Sequence, residues 1–216
     1  MNRPDRLNAF DYALYASMTA SLRAAEVDEG VHVVVLTGTG RAFSSGADRA
    51  PVTPIRAEAF DEFLAALSIA KPLIVAVNGV AVGIGLTLLP HCDLVLVDAD
   101  ARLRTPFTVL GVAPEAGSSY LLQALLGPQR AARVLYTSDW ISATEAVELG
   151  LAESVSAAGH VLDDALALAQ RIAAFPLPSL QATRSTLVAA RAGALRAALA
   201  AERAAWKGLA LPAYRQ

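Results

Sequence analysis

Cysteine is all but missing: Cys92 stands alone in 216 residues, so no internal disulfide can form and a reducing, cytoplasmic setting is expected. Histidine is scarce as well. His32, His91 and His160 are scattered, and with one cysteine they offer no metal-ligand spacing, so no metal site is expected. His91, beside Cys92, reads as a helix-end residue. Charge is sparse, with 18 % Asp, Glu, Lys and Arg and a formal net charge of -2. No Lys/Arg run or basic helix face exists, which excludes a nucleic-acid partner on electrostatic grounds. An anionic small molecule stays open, because a few placed arginines and helix N-termini hold phosphates without making the whole chain basic.

Long hydrophobic runs are also lacking, although 55 % of the residues are hydrophobic and the mean hydropathy is +0.43. The most apolar stretches, Leu73–Val77 and 79–89, are short or broken by Gly, Asn and Pro, so no membrane span is expected. No charged start followed by an apolar run and a small-residue cleavage site signals export. The length suits one substantial core.

Along the chain, residues 8–28 place Phe10, Leu14, Met18 and Leu22 at helical spacing and end at Asp28-Glu29-Gly30. A β-branched run over 31–36 reads as a buried strand that enters a Gly-rich turn. A loop over 41–54 follows, then a helix over 56–70 and a second buried strand, 73–77. The stretch "VAVGIGLTLL", 80–89, is expected to be a short buried helix closed by Pro90. Strands over 94–97 and 101–107 precede a helix in "GSSYLLQALLG". The alternation predicts an α/β fold. From Gly127 the pattern turns helical: Ser142-x-x-Glu145 is a capping box for a helix that stops at Gly150, and further helices are expected over 160–175, 178–190 and 193–206. The chain thus divides into a core, 1–150, and a helical region, 151–216, either part of the same domain or an appendage that buries a face against the core or a neighbouring subunit.

Motifs for covalent chemistry are thin. "FSSG" lacks the G-x-S-x-G elbow, and Gly83-x-Gly85 is not the dinucleotide fingerprint, since no strand leads into G-x-G-x-x-G and the acidic ribose partner is missing. Two strand-to-helix junctions remain, "FSSGAD" and "NGVAVGIG". Small residues there let backbone N–H groups point outward. If the two strands are neighbours, one N–H from each can converge on a single oxygen as an oxyanion hole; the other reading is that the glycines only permit tight turns. Glu115, in "TPFTVLGVAPEAGSS", is the one acid of an apolar stretch. Behind Pro114 it reads, from the residues alone, as a helix-start acid favoured by the macrodipole, with catalysis the second reading.

The stretches "NRPDRLNAF", "VVVLTGTGRAFSSGAD", "KPLIVAVNGVAVGIGLTLLPHCDLVLVDADARLRTPF", "LGVAPEAGSS" and "ISATEAVELGLAESV" together resemble the crotonase (enoyl-CoA hydratase/isomerase) family across most of the chain. The resemblance implies a ββα superhelix with parallel sheets and a helical C-terminal oligomerisation region, assembled as a homotrimer or hexamer. It implies an acyl-CoA thioester substrate, with coenzyme A part of the substrate and no separate cofactor. Carried over by motif, the oxyanion donors are the amides of Ala47 and Ile84, and substrate-binding positions are Ser45, Gly46, Asp48, Gly83, Thr87 and Phe107. Thr87 and Phe107 stand where the family's hydratases carry their two glutamates. The stretch around Glu115 instead resembles the delta-3,delta-2-enoyl-CoA isomerase branch, in which a glutamate at this position is the sole catalytic base.

Moving a double bond from C3 to C2 needs one base that removes a proton at C2 and returns it at C4, whereas hydration usually shares its work between two carboxylates. An apolar wall of Phe107, Leu110 and Leu88 beside Glu115 is expected to exclude water and raise its pKa toward neutrality. Two other readings stand: hydration or another reaction of the family with acids from Asp139 or Glu145, and a CoA-ester binding protein without turnover. The sequence starts at the "NRP" motif without the family's early strand pair, and the loop after Asp48 is short; three readings stand, an open or tunnel-like pocket, a reduced family member, or residues that this sequence does not include.

Overall fold

The computed structural model describes residues 1–48 and 57–209. The loop expected after Asp48, the start of the helix expected at residue 56 and the last residues of the chain lie outside them.

After a 3-10 turn, Pro4–Arg6, the chain enters helix α1, Tyr12–Val27, which the Asp11 carboxylate caps by accepting from the Leu14 N–H at 2.8 Å. Strands β1, Val34–Thr37, and β2, Ala42–Ser44, are followed by helix α2, Ala57–Ala66. Strands β3, Leu73–Val77, and β4, Val80–Val82, lead into the single-turn helix α3, Ile84–Thr87, and a 3-10 turn, Leu89–His91. Strands β5, Leu94–Asp98, and β6, Arg102–Arg104, are followed by helices α4, Ser118–Leu126, and α5, Pro128–Thr137. Then come β7, Ile141–Ser142, α6, Ala143–Leu149, β8, Ser154–Ser156, α7, Val161–Ala173, and α8, Leu177–Gly208.

Each ββ pair sends one strand to each of two sheets. The first has the order β1-β3-β5-β8 and the second β2-β4-β6-β7. Every pairing is parallel except that of β6 with β7. The α/β class and the ββα superhelix are those expected. In β3 all five residues are buried, as a strand covered on both faces requires: Leu73, Val75 and Val77 enter the main core, while Ile74 and Ala76 pack beneath Val161, Ala165 and Ala169 of α7. The main core also holds Phe10, Tyr15, Phe60 and Phe63, whose rings meet at 4.8 to 5.8 Å. Such tilted contacts add about 0.5–1.5 kcal/mol each beyond area burial.

Three expectations change. The helix expected over 80–89 is a strand followed by a short helix, because Val80–Val82 pairs with both β2 and β6 and Gly83, at φ +54°, breaks the run. The strand expected over 101–107 stops at Arg104. The helices expected over 178–190 and 193–206 are one: α8 runs through Gly193 for 32 residues, about 48 Å at 1.5 Å per residue. Its alanine and arginine content carries the helix across a glycine that costs about 1 kcal/mol. Among the described residues no helix is long and apolar enough to cross a membrane.

Candidate active site

The two glycine junctions lie side by side at the ends of adjacent parallel strands. Gly46 follows β2 with φ +97°, and a Cβ there would sit 3.0 Å from the Val82 carbonyl oxygen and 3.9 Å from Gly83 Cα. Gly83 follows β4 and donates its N–H to the Arg104 carbonyl at 3.0 Å, which ties this junction to β6. Both glycines have a positive φ, and Gly46 adds a close approach to the Val82 carbonyl that a side chain would obstruct.

The Ala47 amide is set by a parallel bridge between Ala47 and Phe10. The bonds of that bridge run from the Phe10 N–H to the Gly46 carbonyl and from the Asp48 N–H to the Phe10 carbonyl, both at 2.8 Å, so the N–H of Ala47 itself points to the opposite side. Ile84 opens α3, where a first-turn N–H has no intrahelical acceptor. Among the described residues neither amide meets an acceptor.

Glu115 belongs to the same place. A Cβ built on Gly83 would lie 3.9 Å from Glu115 Oε1 and 3.9 Å from Gly46 Cα, so this carboxyl stands against the Gly83 junction, which neighbours Gly46. Among the described residues the carboxyl accepts no hydrogen bond. Burial raises its pKa from 4.5 to about 7, and the Glu202 carboxylate adds to the rise. The Tyr15 phenol, buried in the aromatic cluster, is also held above its ordinary pKa, by burial first and by Glu115 second.

The helix-start reading of Glu115 is corrected. Helix α4 begins at Ser118, with Gly117 as its N-cap at φ +71°, and its open amides are taken by another acid: Glu202 Oε2 accepts from the Gly117 N–H at 2.7 Å and Oε1 from the Ser119 N–H at 2.9 Å. A carboxylate is favoured there by the helix dipole. With Glu202 serving α4 from the far end of α8, the Glu115 carboxyl stands beside Gly83 with no hydrogen-bond donor among the described residues.

The remaining named positions fall as follows. Ser45 donates its N–H to the Leu7 carbonyl at 2.9 Å, and Asp48 pairs with Arg3 at 3.1 Å and Arg6 at 3.0 Å. Thr87, fully buried, has an Oγ1 without a hydrogen-bond partner among the described residues. Phe107 and Leu88 are buried in the main core, with Leu110 packed against it. Glu145 pairs with Arg133 at 3.3 Å and, with Asp139, lines a separate cleft of about 100 Å³ that Glu115 and the glycines do not border.

Sequence reasoning missed the groups that hold the Glu115 loop. His91 Nε2 meets the Ala116 carbonyl at 2.7 Å, and Trp206 Nε1 donates to the Pro114 carbonyl at 3.0 Å. Burial lowers the His91 pKa to about 4, with nearby Arg191 lowering it further against the opposing pull of the Ala116 bond, so at neutral pH the ring is neutral and donates from Nε2. A Cβ on Gly117 would meet Leu195 Cδ1 at 2.2 Å. Gly117→Ala is therefore expected to lower stability by about 1–3 kcal/mol, read as a fall in the urea midpoint of unfolding.

A family model described as "Enoyl-CoA hydratase/isomerase" matches residues 1–210. The chain is similar to a probable enoyl-CoA hydratase of Rhizobium meliloti, 34% identical over 187 residues that cover 83% of this chain and 72% of that one. It is likewise similar to a 2,3-dehydroadipyl-CoA hydratase of Escherichia coli, 34% identical over 218 residues, 94% of this chain and 82% of the other. Among solved structures, an enoyl-CoA hydratase/isomerase from Pseudoalteromonas atlantica T6c superposes with a TM-score of 0.93 at 30% identity and covers 99% of this chain and 87% of its own. The two named relatives are called hydratases, so the likeness reaches the family and not its isomerase branch. On the family match, these identities and the shared fold, this chain belongs to the enoyl-CoA hydratase/isomerase family.

Proposed function

We propose that the protein isomerises 3-enoyl-CoA thioesters to 2-enoyl-CoA thioesters, with Glu115 as the single proton shuttle. The observation that carries this reading is the Glu115 carboxyl, set against Gly83 with its pKa raised to about 7, while the positions matching the hydratase acids hold Thr87 and Phe107.

The carboxylate removes a proton from C2. The C2–H electron pair becomes part of a dienolate whose negative charge rests on the thioester oxygen, and the Ala47 and Ile84 amides donate to that oxygen. The protonated Glu115 then delivers its proton to C4, the double bond settles between C2 and C3, and the carboxylate is restored. A base with a pKa near the working pH both accepts and releases the proton readily. Two preorganised donors supply the charge stabilisation, each worth about 2.7–4 kcal/mol in comparable sites. Ser45, Gly46 and Asp48 are read as lining the CoA portion, and no metal or redox group takes part. Assembly as a homotrimer or hexamer is supported by exposed Leu125 and Leu187, which border a cleft of about 510 Å³.

Hydration is the second reading, favoured by the names of the relatives. Incubating the protein with a 3-enoyl-CoA is expected to produce the absorbance of a conjugated 2-enoyl thioester, and incubating it with a 2-enoyl-CoA to produce no hydroxyacyl-CoA. Water addition as fast as the double-bond shift would make hydration the reaction.

A further inference from the structure

The segment carrying Glu115 has an unusual backbone. Ala116, at φ 60°, and Gly117, at φ 71°, are consecutive left-handed residues, and a non-glycine residue there is disfavoured by about 1–2 kcal/mol, so the turn persists only where contacts hold it. Those contacts come from one side. Along α8 the residues Arg191, Leu195, Leu199, Glu202 and Trp206 recur at intervals of three and four, which places them on one helix face.

Each meets the same region. Arg191 donates to the Pro90 and His91 carbonyls at 2.8 and 2.7 Å, and His91 in turn holds the Ala116 carbonyl. Leu195 and Leu199 lie against Gly117. Glu202 accepts from Gly117 and Ser119, and Trp206 donates to Pro114. Glu202 is 6% exposed, and both its oxygens are used.

The geometry points to Glu202 as a positioning residue: by clamping the Gly117 and Ser119 amides from the C-terminal helix, it fixes the left-handed turn that aims the Glu115 carboxyl at the Gly83 junction. This rests on the reading of Glu115 as the base. The clamp has an electrostatic side, since the Glu202 charge disfavours ionisation of Glu115. The other titratable groups facing the pair are Tyr15 on α1, His91 before β5 and Arg191 on α8; Asp61 on α2 is tied to Arg203. His91 stays neutral across the pH range in which Glu115 titrates.

The test uses the full chain and a 3-enoyl-CoA, with exchange of C2 protons against solvent deuterium followed over pH in wild type, Glu202→Gln and Trp206→Phe. Glu202→Gln keeps the shape of the side chain but removes its charge and one acceptor. It is expected to lower kcat about tenfold, part of the hundredfold that a misplacement of about 1 Å can cost, to leave KM nearly unchanged, and to move the midpoint of the rising pH limb below that of wild type. A merely structural role would lower the folded fraction without moving the midpoint. Trp206→Phe leaves the Glu202 charge and both of its hydrogen bonds in place, so the midpoint holds; should Glu202→Gln fail to fold, Glu202→Asp, which keeps the charge but shortens the side chain by one carbon, is expected to lower kcat with the midpoint unmoved, and an unchanged kcat there overturns the proposal.

In parallel, the infrared carbonyl stretch of the protonated Glu115 carboxyl, identified by its loss in Glu115→Gln, is titrated with no substrate present. If wild type shows no exchange, the enolate reading fails and this titration alone decides the positioning claim. An unmoved Glu115 titration in Glu202→Gln, or an unmoved midpoint with unchanged kcat, overturns it.

Discussion

Glu115→Gln is expected to slow exchange of the C2 protons of a 3-enoyl-CoA by about 10²- to 10⁴-fold, the usual contribution of a positioned general base. The glutamine matches the carboxylate in size and leaves the Ala47 and Ile84 amides free to bind the thioester oxygen, so substrate binding should change little and the loss should fall on kcat. The pH dependence separates this from a general disturbance of the site. In wild type the rate rises through about pH 7 as Glu115 ionises, whereas the variant has no carboxylate to titrate and loses that limb. Exchange at equal rates in the two proteins would remove Glu115 from the mechanism.

The same substitution is expected to make the protein more stable in neutral and alkaline solution. Folded Glu115 keeps its proton up to about pH 7, while in the unfolded chain it releases it near 4.5. Between these values the folded state binds more protons, so stability falls as pH rises, and the cost levels off above about pH 7. At 1.36 kcal/mol per unit the full cost is about 3 kcal/mol. Glutamine carries none of it: below pH 4.5 the two proteins should melt together, and at pH 8 the variant should melt about 6–12 °C higher, from about 2–4 °C per kcal/mol for a chain of this size. Differential scanning at pH 4, 6 and 8 reads the gap; no gap at pH 8 would mean that the carboxyl ionises in the folded protein as easily as in water. A destabilised acid kept for its chemistry is a familiar exchange of stability for activity.

Legibility in the sequence varied with the range of the forces involved. Leu73–Val77 is a strand in both readings because a β-branched apolar run between Pro72 and Asn78 carries its own signal. Over 80–89 the sequence misleads: Val80–Val82 and Ile84–Thr87 are both apolar and short, and periodicity does not separate a buried strand from a buried helix over so few residues. Gly193 suggested a break in the last helix, but its neighbours on α8 are good helix formers. A buried face on the last helix is expected, but its polar members, Arg184, Arg191 and Glu202, conceal which face it is; Arg184 is 2% exposed, with Nε on the Asp93 carboxylate at 2.6 Å.

The site divides in the same manner. Sequence motifs named Ala47, Ile84 and Glu115, and small residues at two strand ends already implied outward-pointing amides. Bringing Gly46, Gly83 and Glu115 together required the parallel pairing of β2 with β4 and the return of the chain after β6.

The α/β alternation, the two glycine junctions and the apolar setting of Glu115 are each written in residues that lie close along the chain, so local order alone fixes them. That the acid at the start of α4 is Glu202 and not Glu115 follows from packing between distant parts of the chain. Both carboxylates suit a helix N-terminus equally well in isolation; the packing of α8 across the α4 end delivers one to the amides and leaves the other buried, with no donor among the described residues. Desolvation is a property of what surrounds a group in space, and the neighbours that desolvate Glu115 come from both ends of the chain.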